Sequence, residues 1–106
     1  MELDHISFNV KDISRAVEWY RENLSAHVLY QDESWGLVKV GNSKIAFTLF
    51  NHHPPHIAVR INSYHDFPAG YDICEHRDGS RYVYQQDNDG NTIEWIYYPP
   101  NLSSNL

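Results

Sequence analysis

The feature that most constrains this chain is an order of short elements that occurs twice along it. Residues 3–10 alternate between polar and apolar side chains, as a half-buried strand does, and residues 13–24 carry apolar side chains at helical spacing. A strand of similar pattern opens the second half at residues 56–61. Residues 63–70 stand in place of a second helix, but they contain a proline and a glycine and can form only about one turn. The pattern predicts two tandem βαβββ modules, with the helix of the second module shortened.

The modules can be given boundaries. A chain of 106 residues is typical of one domain, so we assign both modules to a single α+β domain. Module 1 comprises residues 1–50, followed by a linker at 51–55, module 2 at 56–98 and a tail at 99–106. The remaining predicted strands are 28–31, 35–40, 44–50, 71–76, 81–86 and 92–98. We expect Asp12 to cap the helix, because its carboxylate can accept hydrogen bonds from the first free N–H groups.

The composition argues against several classes of protein. The net charge is −6 and no basic cluster is present, which argues against a nucleic-acid partner. No apolar run approaches the roughly 20 residues of a membrane-spanning helix. The first residues lack the features of a signal peptide, so a cytoplasmic location is expected. The single cysteine, Cys74, allows no internal disulfide and is expected to be a small core residue.

Two histidines and one glutamate form the pattern that points most directly to chemistry. His5 and His56 lie near the start of the first strand of their modules, so they can face each other if a pseudo-twofold axis relates the modules. Glu94 lies within an apolar final strand, where a carboxylate is costly unless it is paired or bound to a cation. Two imidazoles and a carboxylate can bind Fe, Mn, Ni, Co or Zn and leave coordination positions open.

A simpler interpretation exists for each of these residues. His5 can be a polar residue at a strand start, His56 a residue at a loop boundary, and Glu94 an exposed acid on an edge strand. The other histidines lack partners at ligand spacing. We expect a solvated linker to hold His52 and His53, and the surface to hold His27, His65 and His76.

The segments around these residues resemble one known superfamily. The order of elements, the opening LDHISFNVKD, the central HIAVRI and the ending YVYQQDNDGNTIEW are similar to the vicinal oxygen chelate superfamily. That group includes glyoxalase I, bleomycin resistance proteins, fosfomycin resistance enzymes and extradiol dioxygenases. The resemblance covers nearly the whole chain. Its most specific part is a D-x-D-G-N-x-I-E pattern, matched by Asp87, Gly90, Asn91, Ile93 and Glu94, with Asn88 where proline is usual.

The resemblance implies a fold, a site and a partner. The implied fold is a cup-shaped, eight-stranded mixed sheet, and the implied metal ligands are His5, His56 and Glu94. Many members form dimers, some by exchanging modules, so a homodimer is expected. The short second helix supports this expectation, since it would leave an apolar patch on one outer face for a second subunit to cover.

One position departs from the pattern of glyoxalase-like members, which carry a further carboxylate in the fourth strand of the first module. Residues 44–50 contain no acid, and the equivalent position is Thr48. A proton-shuttling isomerase would need its base from elsewhere. We expect the substrate pocket to be lined by Thr48, Arg60, Tyr82 and Tyr84. The alternatives are a solvent-facing strand end for Arg60 and cross-strand packing for the two tyrosines.

The sequence therefore supports two main functional hypotheses. In the first, the chain is a small metal-dependent enzyme whose metal chelates neighbouring oxygens of a small substrate, with lyase, isomerase and ring-cleaving dioxygenase chemistries all open. In the second, the same cavity binds or sequesters a small molecule without chemistry, as bleomycin resistance proteins do. A dimeric scaffold with a remnant site is a third alternative. No catalytic residue is assigned.

Overall fold

The fold is a mixed sheet with a helix packed on one outer face. The computed structural model describes residues 1–102. The elements in chain order are β1 (Glu2–Val10), α1 (Ile13–Leu24), β2 (His27–Gln31), β3 (Trp35–Val40), β4 (Ser43–Leu49), β5 (His56–Arg60), a 3₁₀ turn (Tyr64–Asp66), β6 (Cys74–Glu75), β7 (Arg81–Gln86) and β8 (Thr92–Tyr97). Within the described residues, none of the helical segments has the length and apolar character needed to cross a membrane.

The sheet repeats one strand arrangement in its two halves. The strand order is β2-β3-β4-β1-β5-β8-β7-β6, so each half has its first strand at the centre and its second strand at an edge. β1 pairs in parallel with β4, and β5 pairs in parallel with β8. The two first strands pair antiparallel with each other and form a central seam. The predicted eight-stranded mixed sheet is confirmed, and it remains open at its edge strands.

α1 forms where the sequence predicts it. The Asp12 carboxylate accepts a hydrogen bond from the Arg15 N–H at 2.9 Å, which confirms the predicted cap. Ile13 and Val17 are buried in a core cluster that includes Phe47 of β4. The helix therefore covers the outer face of the first half and stabilises it by apolar burial.

The second half has a 3₁₀ turn in place of a helix, as predicted. Tyr64 of this turn packs edge-on against Tyr97 of β8, with ring centroids 5.8 Å apart. β6 has two residues, which is shorter than the predicted strand at 71–76. Cys74 is exposed, so its predicted place in the core is wrong, because β6 is a short edge strand with β7 as its strand neighbour. Residues 103–106 of the predicted tail lie outside the described residues.

The polar face of β1 is the more buried one. Ser7 is buried, whereas Phe8 on the opposite face is 41% exposed. Ser7 is the cross-strand partner of His56 on β5, and both side chains line a cavity within the curved sheet. Half-buried strands usually direct their apolar face inward. Here the inner face of the sheet directs polar side chains into a cavity, and the apolar core lies between the outer face and α1.

Candidate metal centre

Three side chains from neighbouring strands converge in the cavity. His5 on β1, His56 on β5 and Glu94 on β8 each offer one ligand atom, and these atoms all lie within 4.8 Å of one another. The Nε2 atom of His5 is 3.5 Å from Glu94 Oε1, and the Nε2 atom of His56 is 3.3 Å from the same oxygen. The sequence predicted this group of residues as ligands, and the structure brings them together.

Ala58 provides space between two members of the group. It is the register partner of His5 on one side and of Glu94 on the other. Register partners place their side chains on the same face of a sheet, and the side chain of Ala58 is fully buried there. Because the methyl group of Ala58 is small, it leaves room for the ligand atoms of His5 and Glu94 to approach each other.

Hydrogen bonds at the second ring nitrogen determine which nitrogen each histidine presents to the site. His56 Nδ1 lies 2.7 Å from the Pro54 carbonyl oxygen, which can only accept, so Nδ1 carries the hydrogen and Nε2 is left for a ligand. His5 Nδ1 lies 2.7 Å from the Asp4 carboxylate, which also accepts a hydrogen bond from the Tyr98 hydroxyl at 3.0 Å. Burial acts to raise the pKa of Asp4, but the hydrogen bond with His5 contributes to a net lowering. Metal-binding histidines are typically held in this way.

Glu94 is a buried anion. Its side chain is 2% exposed. Burial acts to raise the pKa of Glu94, but hydrogen bonds with His56 and His76 and the charges of His76 and His5 lower it to about 2. Because Nδ1 of His56 carries its own hydrogen, either a second proton or a metal ion can occupy the 3.3 Å between its Nε2 and Glu94 Oε1. The donor set fits the transition metals expected from the sequence.

His76 reaches the same carboxylate from the other side. Its Nε2 atom lies 2.6 Å from Glu94 Oε2, and its ring stacks on Tyr82 with centroids 3.8 Å apart. The prediction that His76 is a surface residue is wrong, since its side chain is 24% exposed and paired. The contact depends on the turn between β6 and β7, and a separation of 18 residues gave no spacing signal for it.

The cavity has a volume of about 390 Å³ and contains three of the four residues predicted to contact substrate. Thr48, Tyr82 and Tyr84 line it, whereas Arg60 is not among the lining residues in the described part of the chain. The Arg60 guanidinium instead lies over the Tyr98 ring, 5.2 Å from its centroid. The strand alternation placed Arg60 on the correct face, but its position at the end of β5 carries the guanidinium beyond the cavity.

His53 is a second histidine whose environment differs from the prediction. It lies in the linker, yet it lines the cavity, and its Nδ1 atom is 2.8 Å from the Tyr84 hydroxyl. Burial lowers the pKa of His53, and burial raises the pKa of Tyr84, which favours a neutral imidazole beside a neutral phenol. In that state the Tyr84 O–H donates to one tautomer of His53 and its oxygen accepts from the Nδ1–H of the other. The expectation that His53 is fully solvated is therefore wrong.

A match to a known family extends over much of the chain. Residues 2–72 match the Glyoxalase/Bleomycin resistance protein/Dioxygenase superfamily. The chain belongs to this superfamily. The matched segment of this superfamily member contains His5 and His56 and ends before Glu94. The resemblance stated from the sequence is confirmed.

Solved structures share the fold of this superfamily member at low sequence identity. Methylmalonyl-CoA epimerase from Mycobacterium tuberculosis has a TM-score of 0.74 at 17% identity, covering 93% of this chain and 89% of that chain. Methylmalonyl-CoA epimerase from Streptomyces coelicolor, in complex with 2-nitronate-propionyl-CoA, has a TM-score of 0.71 at 17% identity, with coverages of 97% and 98%. A glyoxalase/bleomycin resistance protein/dioxygenase superfamily member from Vibrio splendidus 12B01 has a TM-score of 0.65 at 11% identity, with coverages of 89% and 97%. No curated protein matches this chain.

Proposed function

We propose that this superfamily member is a small metal-dependent enzyme. His5, His56 and Glu94 would hold a divalent ion, Fe, Mn, Ni, Co or Zn, to which two neighbouring oxygens of a small substrate would bind. The observation that carries the proposal is the convergence of three ligand atoms within 4.8 Å of one another inside a cavity. The cavity volume of about 390 Å³ falls within the range of roughly 300–1,000 Å³ that is typical of small-molecule sites.

The metal supplies Lewis-acid chemistry when bound, because it stabilises negative charge on the substrate oxygens. The protein contributes the geometry. The Asp4 carboxylate and the Pro54 carbonyl hold the two imidazoles with Nε2 toward the site. Ser7 adds a buried hydroxyl that lines the cavity and has no hydrogen-bond partner within residues 1–102. This hydroxyl can donate to an oxygen of a bound ligand.

The first-module side of the cavity favours lyase or ring-cleaving dioxygenase chemistry over a proton-shuttling isomerase. β4 carries no acidic residue. Thr48, at the position where a carboxylate base is otherwise expected, donates its hydroxyl hydrogen to Asn9 Oδ1 at 3.0 Å. A hydroxyl held in this way does not act as the base that proton abstraction needs.

The same cavity also supports a second candidate function, which is binding or sequestration of a small molecule without chemistry. The aromatic rings of Tyr82, Tyr84 and Tyr98 line the cavity. Such walls suit a planar or largely apolar ligand. The lack of a carboxylate at Thr48 is equally consistent with a protein that binds and does not transform its ligand.

We further propose that the chain forms a homodimer, with or without exchanged modules. Phe8 and Ile57 are 41% and 39% exposed on the outer face of the central seam. Ile6 is the register partner of Ile57, and Phe8 lies two residues further along the same face of β1. These side chains form an apolar patch that a second copy of the chain can bury.

Metal analysis of untagged protein purified without chelator tests the enzyme proposal. We expect about one ion per site in the wild type and its loss in His5→Ala and Glu94→Ala. His65→Ala is the matched control, because His65 is an exposed histidine outside the cavity. Added ion should also raise the melting temperature of the wild type and of the control by mass action, but not that of the two ligand variants. A wild type with neither stoichiometric metal nor ion-induced stabilisation would contradict the proposal.

Removal of the ion separates the two candidate functions. A panel of small molecules with two adjacent oxygens is titrated into metal-loaded protein and into protein stripped with a chelator. A metal-dependent enzyme loses binding of these molecules, together with turnover, when it is stripped. A sequestration protein keeps its affinity for its ligand under both conditions and gives no product.

A further inference from the structure

The two oxygens of the Glu94 carboxylate face different partners. Oε1 points toward the predicted metal ligands, with His56 Nε2 at 3.3 Å and His5 Nε2 at 3.5 Å. Oε2 is 2.6 Å from His76 Nε2, the shortest of these contacts. One oxygen is therefore directed to the ligand group, while the other is engaged by a side chain outside that group.

We propose that His76 is a positioning residue that holds Glu94 as a monodentate metal ligand, an inference that rests on the metal site proposed above. A carboxylate can bind a metal through one oxygen or through both. An N–H donor on Oε2 occupies a lone pair of that oxygen and fixes the plane of the carboxylate. Glu94 then offers only Oε1, and the coordination position that Oε2 would fill stays open for a substrate oxygen.

The position of His76 does not depend on Glu94 alone. Its ring lies nearly parallel to the Tyr82 ring, with an angle of 14° between the planes and 3.8 Å between the centroids. Its backbone N–H donates to the Ser80 carbonyl at 2.9 Å, and its carbonyl accepts from the Gly79 N–H at 2.9 Å. Packing and backbone hydrogen bonds thus hold the ring in place before any ion binds. A preorganised donor of this kind is what orients ligands in metal sites.

The substitutions His76→Gln and His76→Phe separate the effect of the hydrogen bond to Glu94 from the effect of ring packing on Tyr82. Gln keeps an N–H donor near the place of Nε2, whereas Phe keeps a planar ring on Tyr82 but cannot donate. We expect His76→Phe to weaken Co²⁺ binding by about 10–100-fold, the usual effect of losing an outer-shell partner. His76→Gln should remain within a few-fold of the wild type. His65→Phe is the matched control at an exposed histidine and should leave Co²⁺ affinity unchanged.

The visible spectrum of bound Co²⁺ gives a readout that a loss of folding does not mimic, because the spectrum reports coordination number and geometry. The wild type and His76→Gln should share one spectrum, and His76→Phe should differ as Oε2 becomes free to bind. Thermal unfolding in chelator checks that each variant is folded. If His76→Phe does not fold, His76→Asn provides the comparison, because its amide is one methylene shorter than that of Gln and does not reach Oε2.

The outcomes distinguish this inference from the proposed function. A wild type that binds no Co²⁺ overturns the metal site itself. A wild type that binds Co²⁺, together with a folded His76→Phe of equal affinity and identical spectrum, overturns the positioning role and leaves the site standing. Weak Co²⁺ binding by both His76→Phe and His76→Gln also overturns the positioning role, because an N–H donor at this place would then not be enough to preserve Co²⁺ affinity.

Discussion

The guanidinium of Arg77 lies 2.7 Å from the carboxylate of Asp32, although 45 residues separate them in sequence. Asp32 directly follows β2 and Arg77 lies just beyond β6, and these two strands are the opposite edges of the open sheet. Side chains, and not strand pairing, therefore join the edges at one end of the cup. Trp35 is stacked on Tyr30 beside this pair, with ring centroids 4.7 Å apart.

Acid should weaken this connection between the edges. The pKa of Asp32 is held well below its usual range, chiefly by the hydrogen bond from the Tyr30 hydroxyl; burial opposes this, and the N–H groups of Ser34 and Trp35 add to it. The unperturbed pKa of this carboxyl, which applies in the unfolded chain, is 3.8. The ionised group therefore stabilises the fold above that pH, and this stabilisation is lost as the pH falls toward the lower pKa of the folded state. We expect Asp32→Asn to lower the melting temperature at pH 7, with the difference from wild type shrinking below about pH 4.

Circular dichroism melts between pH 7 and pH 2 measure this difference. Asp66→Asn provides the control, because Asp66 is an exposed aspartate in the 3₁₀ turn of the other half. A melting-temperature difference for Asp32→Asn that is the same at both ends of the range would show that the ionised carboxylate does not contribute.

Metal affinity should fall as the pH is lowered from 8 to 5. Imidazole ligands must be deprotonated to bind an ion, so protons compete with the metal. With His5 and His56 both as ligands, affinity should fall as the pH is lowered, by up to about two orders of magnitude per pH unit. Competition titrations with a calibrated chelator between pH 8 and pH 5 measure this slope. A constant affinity over that interval excludes both histidines as ligands.

Enlarging Ala58 should damage the site more than the fold. Its methyl group lies between His5 and Glu94 in the register of three neighbouring strands. Ala58→Val inserts two carbons into a fully buried position, which typically costs about 1–3 kcal/mol of stability. We also expect metal affinity to drop by at least tenfold. Ala26→Val, at a buried alanine of the core cluster that does not line the cavity, is the control for overpacking and should keep its affinity for metal. Equal affinities for the two variants would mean that the space beside Ala58 is not needed.

Removing the apolar patch at the seam should give monomers. Phe8→Lys places a charge on a side chain that is 41% exposed, so the monomer should tolerate it. Sedimentation velocity over a range of concentrations is expected to show a dimer for the wild type and a monomer for Phe8→Lys. Val28→Lys changes an apolar side chain of 42% exposure on β2, which lies three strands from β1 in the sheet, and should remain dimeric. A wild type that is monomeric at every concentration would remove the prediction.

The sequence predicted those features that local patterns determine. Alternation identified the strands, and the carboxylate of Asp12 marked the start of α1, because both signals act between residues close in sequence. The equivalent places of His5 and His56 in the two modules were visible for the same reason. Glu94 could be added to them because a carboxylate within an apolar strand needs a partner.

The features that were missed depend on contacts between distant segments. His76 meets Glu94, and His53 meets Tyr84, only because the segment after β6 and the linker before β5 reach the cavity. Neither pair has a characteristic spacing. Arg60 was misjudged for a different reason. Alternation shows which face of a strand a side chain occupies, but not whether a long side chain at the strand end extends past the cavity. Cys74 was misplaced because cysteine is among the residues most often buried in proteins. Here it lies in a two-residue edge strand that leaves it exposed.

The central seam has a consequence for how the chain folds. His5 comes from β1, and the other ligands come from β5 and β8, so a chain with only one half folded cannot assemble the three donors. β1 and β8 lie at opposite ends of the sequence, and contacts over such separations form late and slowly. An ion at the proposed site would therefore bind only the completed structure, where it would slow unfolding and lengthen the lifetime of the native state.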